Sequence, residues 1–413
     1  MKNLKLKTRA YALKNALAYN GKANQGSVIS SLFHEGLKKE DVKKHIKEIS
    51  KIVSDVNKLS IEKQKKEFEK SKNEISERKV REGLPELPNA KKGKVVMRTA
   101  PAASGVLHIG HALTYCTSFL FAKKYNGKIY NRIEDTNPDE IFAPAYKMFV
   151  DDFKWLFDNY PNMEFVIQSD RMKIYYDYAE KLIKKNFAYV CTCSSEKFKK
   201  FSNFKEDCPC RNNELKENLY RWKKMLDKKG YAPGDAVLRF KSSMSDANPA
   251  MRDFPLARIC LTKHPRQKNK YRVWPLMNLS VSVDDIEMKM THIIRGKDHR
   301  DNAERQKLIF KALGLEKKFP WTAFLGRYKF TDIELSKRKM KKEVEEKKYS
   351  GWDDPELPTL ISLRKRGYKP QAFWKFAELR GLSEADRIIS KKEFFRLLDN
   401  FNRLCPELNK FQS

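Results

Sequence analysis

No apolar run in these 413 residues approaches the roughly 18 needed to cross a bilayer. The first 22 residues mix Lys and Arg with short apolar stretches, which reads against a secretory leader. Both absences point to the cytoplasm. Thiols are kept reduced there, so the seven Cys are not read as a disulfide frame. No internal repeat is visible. Acidic residues are scarce: 53 Asp and Glu face 86 Lys and Arg, a formal charge of +33. A field of one sign on that scale suits a polyanion such as nucleic acid, and a generally Lys-rich proteome would give the same excess.

The chain divides by pattern. Residues 1–90 read as a helical module, with Val28, Ile29, Leu32 and Phe33, then Val42, Ile46, Ile49 and Val53, at helical spacing. A charged helix is expected over 61–81. A Gly/Pro-punctuated stretch, 83–88, and a Lys-rich one, 91–94, read as a linker. A strand (95–98), a turn (101–105), a helix (110–125), an Asn126-Gly127 turn and a strand (128–133) then form a βαβ unit that opens a parallel sheet. Helices are expected over 146–157 and 171–186, then a Cys-containing loop region to about 211. The strand–helix rhythm resumes at 271, with strands over 279–283 and 291–295 and a helix over 302–313; residues 357–411 read as helical. The fold is thus α/β, its sheet halves (91–188 and 271–327) split by an insertion (189–270) and followed by a C-terminal region (328–413).

Three motifs carry chemistry. In Arg98-Thr-Ala-Pro101-Ala-Ala-Ser-Gly105-Val-Leu-His108-Ile-Gly110-His111, a strand and turn feed a helix N-terminus, where free N–H groups favour an anion and two imidazoles can donate to phosphate. Gly110 allows close approach of a nucleotide. Arg132-Ile133-Glu134-Asp135-Thr136-Asn137-Pro138 ends the next strand, the edge where α/β sheets bind ligands, and Glu134 can hold an ammonium group. Glu334-Leu335-Ser336-Lys337-Arg338-Lys339 reads as a cationic loop whose Lys337 can offset triphosphate charge. Separately, Cys191-Thr-Cys193 and Cys208-Pro-Cys210 form two clips fourteen residues apart, a pattern suited to tetrahedral zinc, with metal-free thiols as the alternative.

Taken in this order, the motifs resemble those of class I aminoacyl-tRNA synthetases. Arg-Ile-Glu-Asp-Thr, Thr291-His-Ile-Ile-Arg295-Gly-Lys-Asp298-His299 and Gly351-Trp-Asp-Asp-Pro355 are similar to the glutamyl/glutaminyl subfamily, in its archaeal–eukaryotic branch. The resemblance implies a Rossmann-like (HUP-type) nucleotide-binding sheet split by an acceptor-binding insertion, with a helical stem-contact region after it. It implies catalysis by His108, His111 and Lys337, and ATP, with Mg2+, held by Pro101, Gly105, His108, Gly110, His111, Ser336, Lys337 and Arg338. Glutamate would lie against Arg98, Glu134, Met277, Asn278 and Arg295, with zinc on Cys191, Cys193, Cys208 and Cys210. Arg295 favours glutamate over glutamine, because a guanidinium fork pairs a carboxylate; a structural ion pair with Asp298 is the other reading. The sequence departs from the family pattern at Ala102, Ala103, Met277 and Glu334. The implied partners are glutamate, tRNA(Glu) and, as an open second acceptor, tRNA(Gln). Members of this branch continue into two anticodon-reading β-barrels, whereas this sequence stops at Ser413. A separate barrel-bearing subunit, a trimmed chain and an enzyme reading only the acceptor arm all fit that. The rival functions are a glutaminyl enzyme, a paralogue that glutamylates a tRNA base, and a tRNA-binding subunit without catalysis.

Overall fold

The computed structural model describes residues 3–76 and 83–408, and the chain forms two compact units, Met1–Glu82 and Gly83–Ser413. The first holds α1 (Leu4–Ala18), α2 (Gln25–His34), α3 (Val42–Asn57) and α4 (Ile61–Ser71) around Leu13, Val28, Leu32, Ile49 and Val53. Asn24 and Ser60 cap α2 and α4 by accepting from Ser27 N and Lys63 N. Buried Gln64 donates to the carbonyls of Gly21 and Val56 at 2.8 and 3.0 Å, closing the module. Phe33, expected on the apolar face, is exposed. The charged helix ends at Ser71; residues 77–81 lie outside the described residues.

In the second unit, the stretch expected as a linker packs down: Leu87 is buried and its N–H donates to Tyr125 Oη at 2.9 Å. β1 (Val96–Thr99), α5 (Ile109–Lys124) and β2 (Lys128–Ile133) make the first parallel crossover. After α6 (Ala145–Leu156), β3 (Met163–Ile167) pairs parallel to β2. Then α7 (Met172–Lys184) leads into the insertion: β4 (Ala188–Cys191), α8 (Ser195–Phe204), α9 (Leu215–Leu226), β5 (Val237–Phe240), β6 (Pro255–Ile259) and β7 (Val273–Pro275). Its four strands form an antiparallel sheet in sequence order. The chain returns through α10 (Met277–Glu287), β8 (His292–Gly296), α11 (Arg300–Ala312) and β9 (Trp321–Leu325), parallel to β8. Thr291 joins the halves: its N–H donates to Val96 O at 3.0 Å, and Val96 N–H donates to its Oγ1 at 2.9 Å. β10 (Tyr328–Phe330), α12 (Lys337–Glu345), α13 (Leu360–Lys365), α14 (Pro370–Arg380), β11 (Arg387–Ile389) and α15 (Lys391–Leu408) follow, with β10 parallel to β11. Among the described residues no helix is long and apolar enough to cross a membrane.

Three further sequence expectations change. Residues 279–283 are not a strand but the middle of α10. Residues Asn278–Asp285 are all buried, so no polar face betrays the helical period, and the Ser280 and Ser282 hydroxyls turn back to carbonyls four residues earlier. The loop expected near the Cys clips holds α8, capped by Ser194; Phe198 is its one buried residue, too few for a stripe. The region 357–411 is interrupted by β11, three residues long and too short to show a period; residues 409–411 lie outside the described residues. Within α14, Phe373, Phe376 and Ala377 are buried but Leu379 is exposed.

Gly127, just before β2, lies tight against the chain entering β1: a Cβ there would lie 2.3 Å from Val95 O, a backbone atom that cannot swing aside. Gly127→Ala is therefore expected to destabilise the second unit by about 1–3 kcal/mol, as overpacking does. Denaturant midpoints check this, and an unchanged midpoint contradicts the close approach.

Candidate active site

The paired His residues occupy the start of α5. His108 has extended backbone and its Nδ1 accepts from Gly110 N–H at 3.2 Å; His111 Nδ1 accepts from His108 N–H at 3.2 Å. This is a reciprocal cap built from imidazoles. Because both Nδ1 atoms accept, each ring carries its proton on Nε2, leaving two neutral N–H donors with ring centroids 3.8 Å apart. Burial, with the positive charge of Lys337, pushes His108 down to about 3. Burial, His108 and Lys337 also hold His111 well below its ordinary value. Behind the turn, Ile109 N–H donates to Pro358 O and Leu360 N–H to Leu107 O, both at 3.0 Å, a two-bond clasp that fixes the turn's backbone.

Lys337 comes to the same place from the C-terminal region. It is the first residue of α12 rather than part of a loop, since Ser336 caps that helix by accepting from Lys339 N–H. Its Nζ donates to Ala102 O at 3.1 Å, and its stem covers Gly105, where a Cβ would meet Lys337 Cβ at 3.3 Å. Burial lowers its ammonium to about 8. Arg338 is exposed, and Glu334 pairs with Lys339 at 2.8 Å. Pro101 and Ala103 bond the turn to the end of β2: Glu134 N–H donates to Pro101 O and Ala103 N–H to Glu134 O, each at 2.9 Å.

Beside this turn lies a buried ionic pocket. Arg98 donates to Asp285 through Nε at 2.7 Å and Nη2 at 3.2 Å. Arg132, fully buried, donates to Asp285 at 2.7 Å and to Glu134 at 3.3 Å, and its Nε lies 3.6 Å from Asp284. Burial would raise the Asp285 carboxyl, but Arg98 and Arg132 more than offset this and leave it lowered. Glu134 stays raised, because burial there outweighs Arg132, Arg98 and Arg295. Arg295 donates to Gln306 Oε1 at 2.9 Å, and Gln306 reaches Asn278 Oδ1 at 3.5 Å. Burial, then repulsion from Arg98, lowers Arg295 to about 10, and its Nε is buried without a hydrogen-bond partner. Asp298 pairs with Arg327 instead. Met277, at the start of α10, is 38% exposed; Asn278 is buried.

In the insertion, Cys191 ends β4 and Cys208 and Cys210 bracket a short turn. Sγ separations are 3.8 Å (Cys191–Cys208) and 3.9 Å (Cys193–Cys210), and all four sulfurs lie within 4.8 Å of one another. A tetrahedron with metal–sulfur bonds of about 2.3 Å has sulfurs about 3.8 Å apart. The donor set therefore fits one thiophilic ion. Thr192 N–H (3.4 Å) and Arg221 Nη1 (3.5 Å) both point at Cys210 Sγ, as donors around a thiolate do.

The model of the catalytic domain of class I tRNA synthetases (E and Q) matches residues 94–400. The chain belongs to that family. Among curated relatives, the glutamate–tRNA ligase of Methanobrevibacter smithii is 42% identical over 407 residues, 97% of this chain and 71% of that protein. That of Methanocaldococcus jannaschii is 44% identical over 380 residues, 91% and 66%. A glutamate tRNA ligase structure from Elizabethkingia meningosepticum, in complex with its amino acid, superposes with TM-score 0.54 at 21% identity, over 76% of this chain and 70% of that one, a likeness of fold.

In this synthetase the structure brings His108, His111, Gly105, Gly110, Pro101 and Lys337 to one turn. It gathers Arg98, Glu134, Asn278 and Arg295 in the adjoining pocket and leaves Arg338 and part of Met277 in solvent. Sequence reasoning passed over Arg132, Asp284, Asp285 and Gln306. Arg132 stood in a quoted motif, two residues before Glu134 on the same strand face, while the strand expected at 279–283 hid the acid pair that follows it.

The imidazole geometry makes a prediction of its own. Ring-proton NMR signals of His108 and His111 are expected to show no titration between pH 5 and 8, because both rings stay neutral there. A midpoint near 6.5 for either ring would contradict the buried reciprocal cap.

Proposed function

We propose that the chain is a glutamate–tRNA ligase acting in the cytoplasm. The observation that carries this is a buried Arg295, with no carboxylate partner among the described residues, next to a nucleotide-type turn. The ligase relatives, alike over nearly the whole chain, support it.

The glutamate α-carboxylate attacks the α-phosphorus of ATP, forming glutamyl-adenylate and expelling diphosphate. A hydroxyl of the terminal tRNA ribose then attacks the acyl carbon, forming the ester and releasing AMP. Magnesium enters with ATP. The Nε2–H groups of His108 and His111 donate to phosphate oxygens as charge develops. Being neutral, they do so without a proton that must first be gained. Lys337, with Ser336 and Arg338 behind it, neutralises the leaving diphosphate. Gly105, Gly110 and Pro101 shape the backbone under the nucleotide. Glu134 receives the substrate's ammonium group. Arg295 pairs with the γ-carboxylate, held in aim by Gln306 and Asn278, and Arg98 supports the same pocket through Asp285. Met277 borders it.

The ion on Cys191, Cys193, Cys208 and Cys210 is zinc in a structural role, fastening the two clips. Purified chain should carry about one zinc per molecule, and chelation should lower the melting temperature. Metal analysis that finds none, with melting unchanged by chelator, overturns the assignment.

ATP–diphosphate exchange with each amino acid, with and without tRNA(Glu) or tRNA(Gln), tests the activity. Glutamate alone should support exchange. Replacing Arg295 with Ser should cut kcat/KM for glutamate by at least ~100-fold, since a charged group loses its partner, and should cost glutamine far less. Equal losses for both amino acids would assign Arg295 to a group they share, and exchange with glutamine in the wild type would favour the glutaminyl reading.

A further inference from the structure

Close to the clasp behind the His turn stands a charge in an unfavourable place. Thr359 caps α13: its Oγ1 accepts from Ser362 N–H at 3.1 Å and donates to Trp352 O at 2.6 Å. One turn further on, Arg364 lies 3.8 Å from Asp152 of α6. Asp152 is wholly buried, and neither carboxylate oxygen has a hydrogen-bond partner. The charges acting on it are Arg364 across the gap and Asp151 beside it, itself bound to Lys147. A carboxylate so placed destabilises the fold relative to a neutral side chain of the same shape. Local violations of this kind are expected most at functional sites.

We propose that Asp152 is a positioning residue for the nucleotide site: its charge holds Arg364, and with it the first turn of α13, so that Pro358–Leu360 stays paired with Leu107–Ile109 and His108 keeps its place. The group is well situated for this. Burial pushes its carboxyl up to about 7, against the pull of Arg364. With the folded value above the unfolded one, the protonated acid's share of stability is complete below the unfolded value, near 4, and is lost as pH rises through about 7. The ionised form that grips Arg364 is thus the less stable one. This predicts a pairing of effects that plain structural damage does not produce.

The inference rests on the ligase reading for the step it accelerates. The test compares wild type, Asp152→Asn, Arg364→Lys and Arg364→Met in tRNA-supported ATP–diphosphate exchange and in thermal melting between pH 6 and 8.5. At pH 8, Asp152→Asn should melt several degrees higher than wild type, yet exchange about 10-fold more slowly with KM for glutamate unchanged. The rate gap should close toward pH 6, where the wild-type acid is also neutral. Arg364→Met should be slowed similarly at pH 8, and Arg364→Lys much less. Wild-type rates in Asp152→Asn at pH 8, or loss of rate and stability together at every pH, overturn the proposal. Should Asp152→Asn not fold, equal rates for the two Arg364 variants overturn it alone. If the wild type activates no amino acid, the ligase reading falls, and ATP affinity by calorimetry in the same variants decides the positioning role: weaker binding in Asp152→Asn and Arg364→Met supports it, unchanged binding refutes it.

Discussion

Asp285 is the joint on which the catalytic unit turns. It accepts from Arg98 of β1 and Arg132 of β2 while standing on α10, which reaches the sheet only after the whole insertion has been laid down. Three elements from two halves of the chain meet on one carboxylate. Removing it would leave Arg98 buried without its ion-pair partner and Arg132 with only Glu134 and Asp284, a loss on the order of several kcal/mol for such networks. The adjacent Asp284 repeats the device, accepting from Gln168, Arg171 and Tyr175. The pair therefore fixes the sheet halves to each other and, in the same stroke, sets the positions of Arg98 and Glu134.

Around that joint the charges are graded. Arg132 has enough acidic neighbours to be pushed up in spite of its burial, whereas burial and Arg98 bring the Arg295 guanidinium down to about 10. One arginine is ion-paired by the protein; the other, in the function proposed above, pairs with the substrate. Its amide supporters, Gln306 and Asn278, orient it without neutralising it. This contrast separates a structural cation from one fit to select a substrate by charge.

Much of this was legible in the sequence because the informative residues were local. The His-Ile-Gly-His turn, the Arg-Ile-Glu-Asp strand end and the two Cys clips each lie within one short segment, and local geometry dictates what they become. The parts that stayed hidden depend on distant partners. Asp284 and Asp285 sit on a helix buried all round, whose Leu–Ser–Val–Ser–Val spelling alternates like a strand. Gln306 is an ordinary helix residue until Arg295 is found opposite. Lys337 was read as part of a cationic loop, whereas its place at the start of a capped helix rests on one Ser336 hydroxyl.

The four-stranded insertion sheet has β4 at one edge and β7 at the other, and the chain enters through the first and leaves through the second. With strands about 4.8 Å apart, its two attachments stand roughly 14 Å from each other. A domain hung from neighbouring strands could swing like a door; one hung from opposite edges is braced like a bridge. His264, whose ring lies against Trp274, adds a third footing by reaching Asp135 O at 3.1 Å. The insertion is thus tied down along its whole width, at both outer strands and at a point between them.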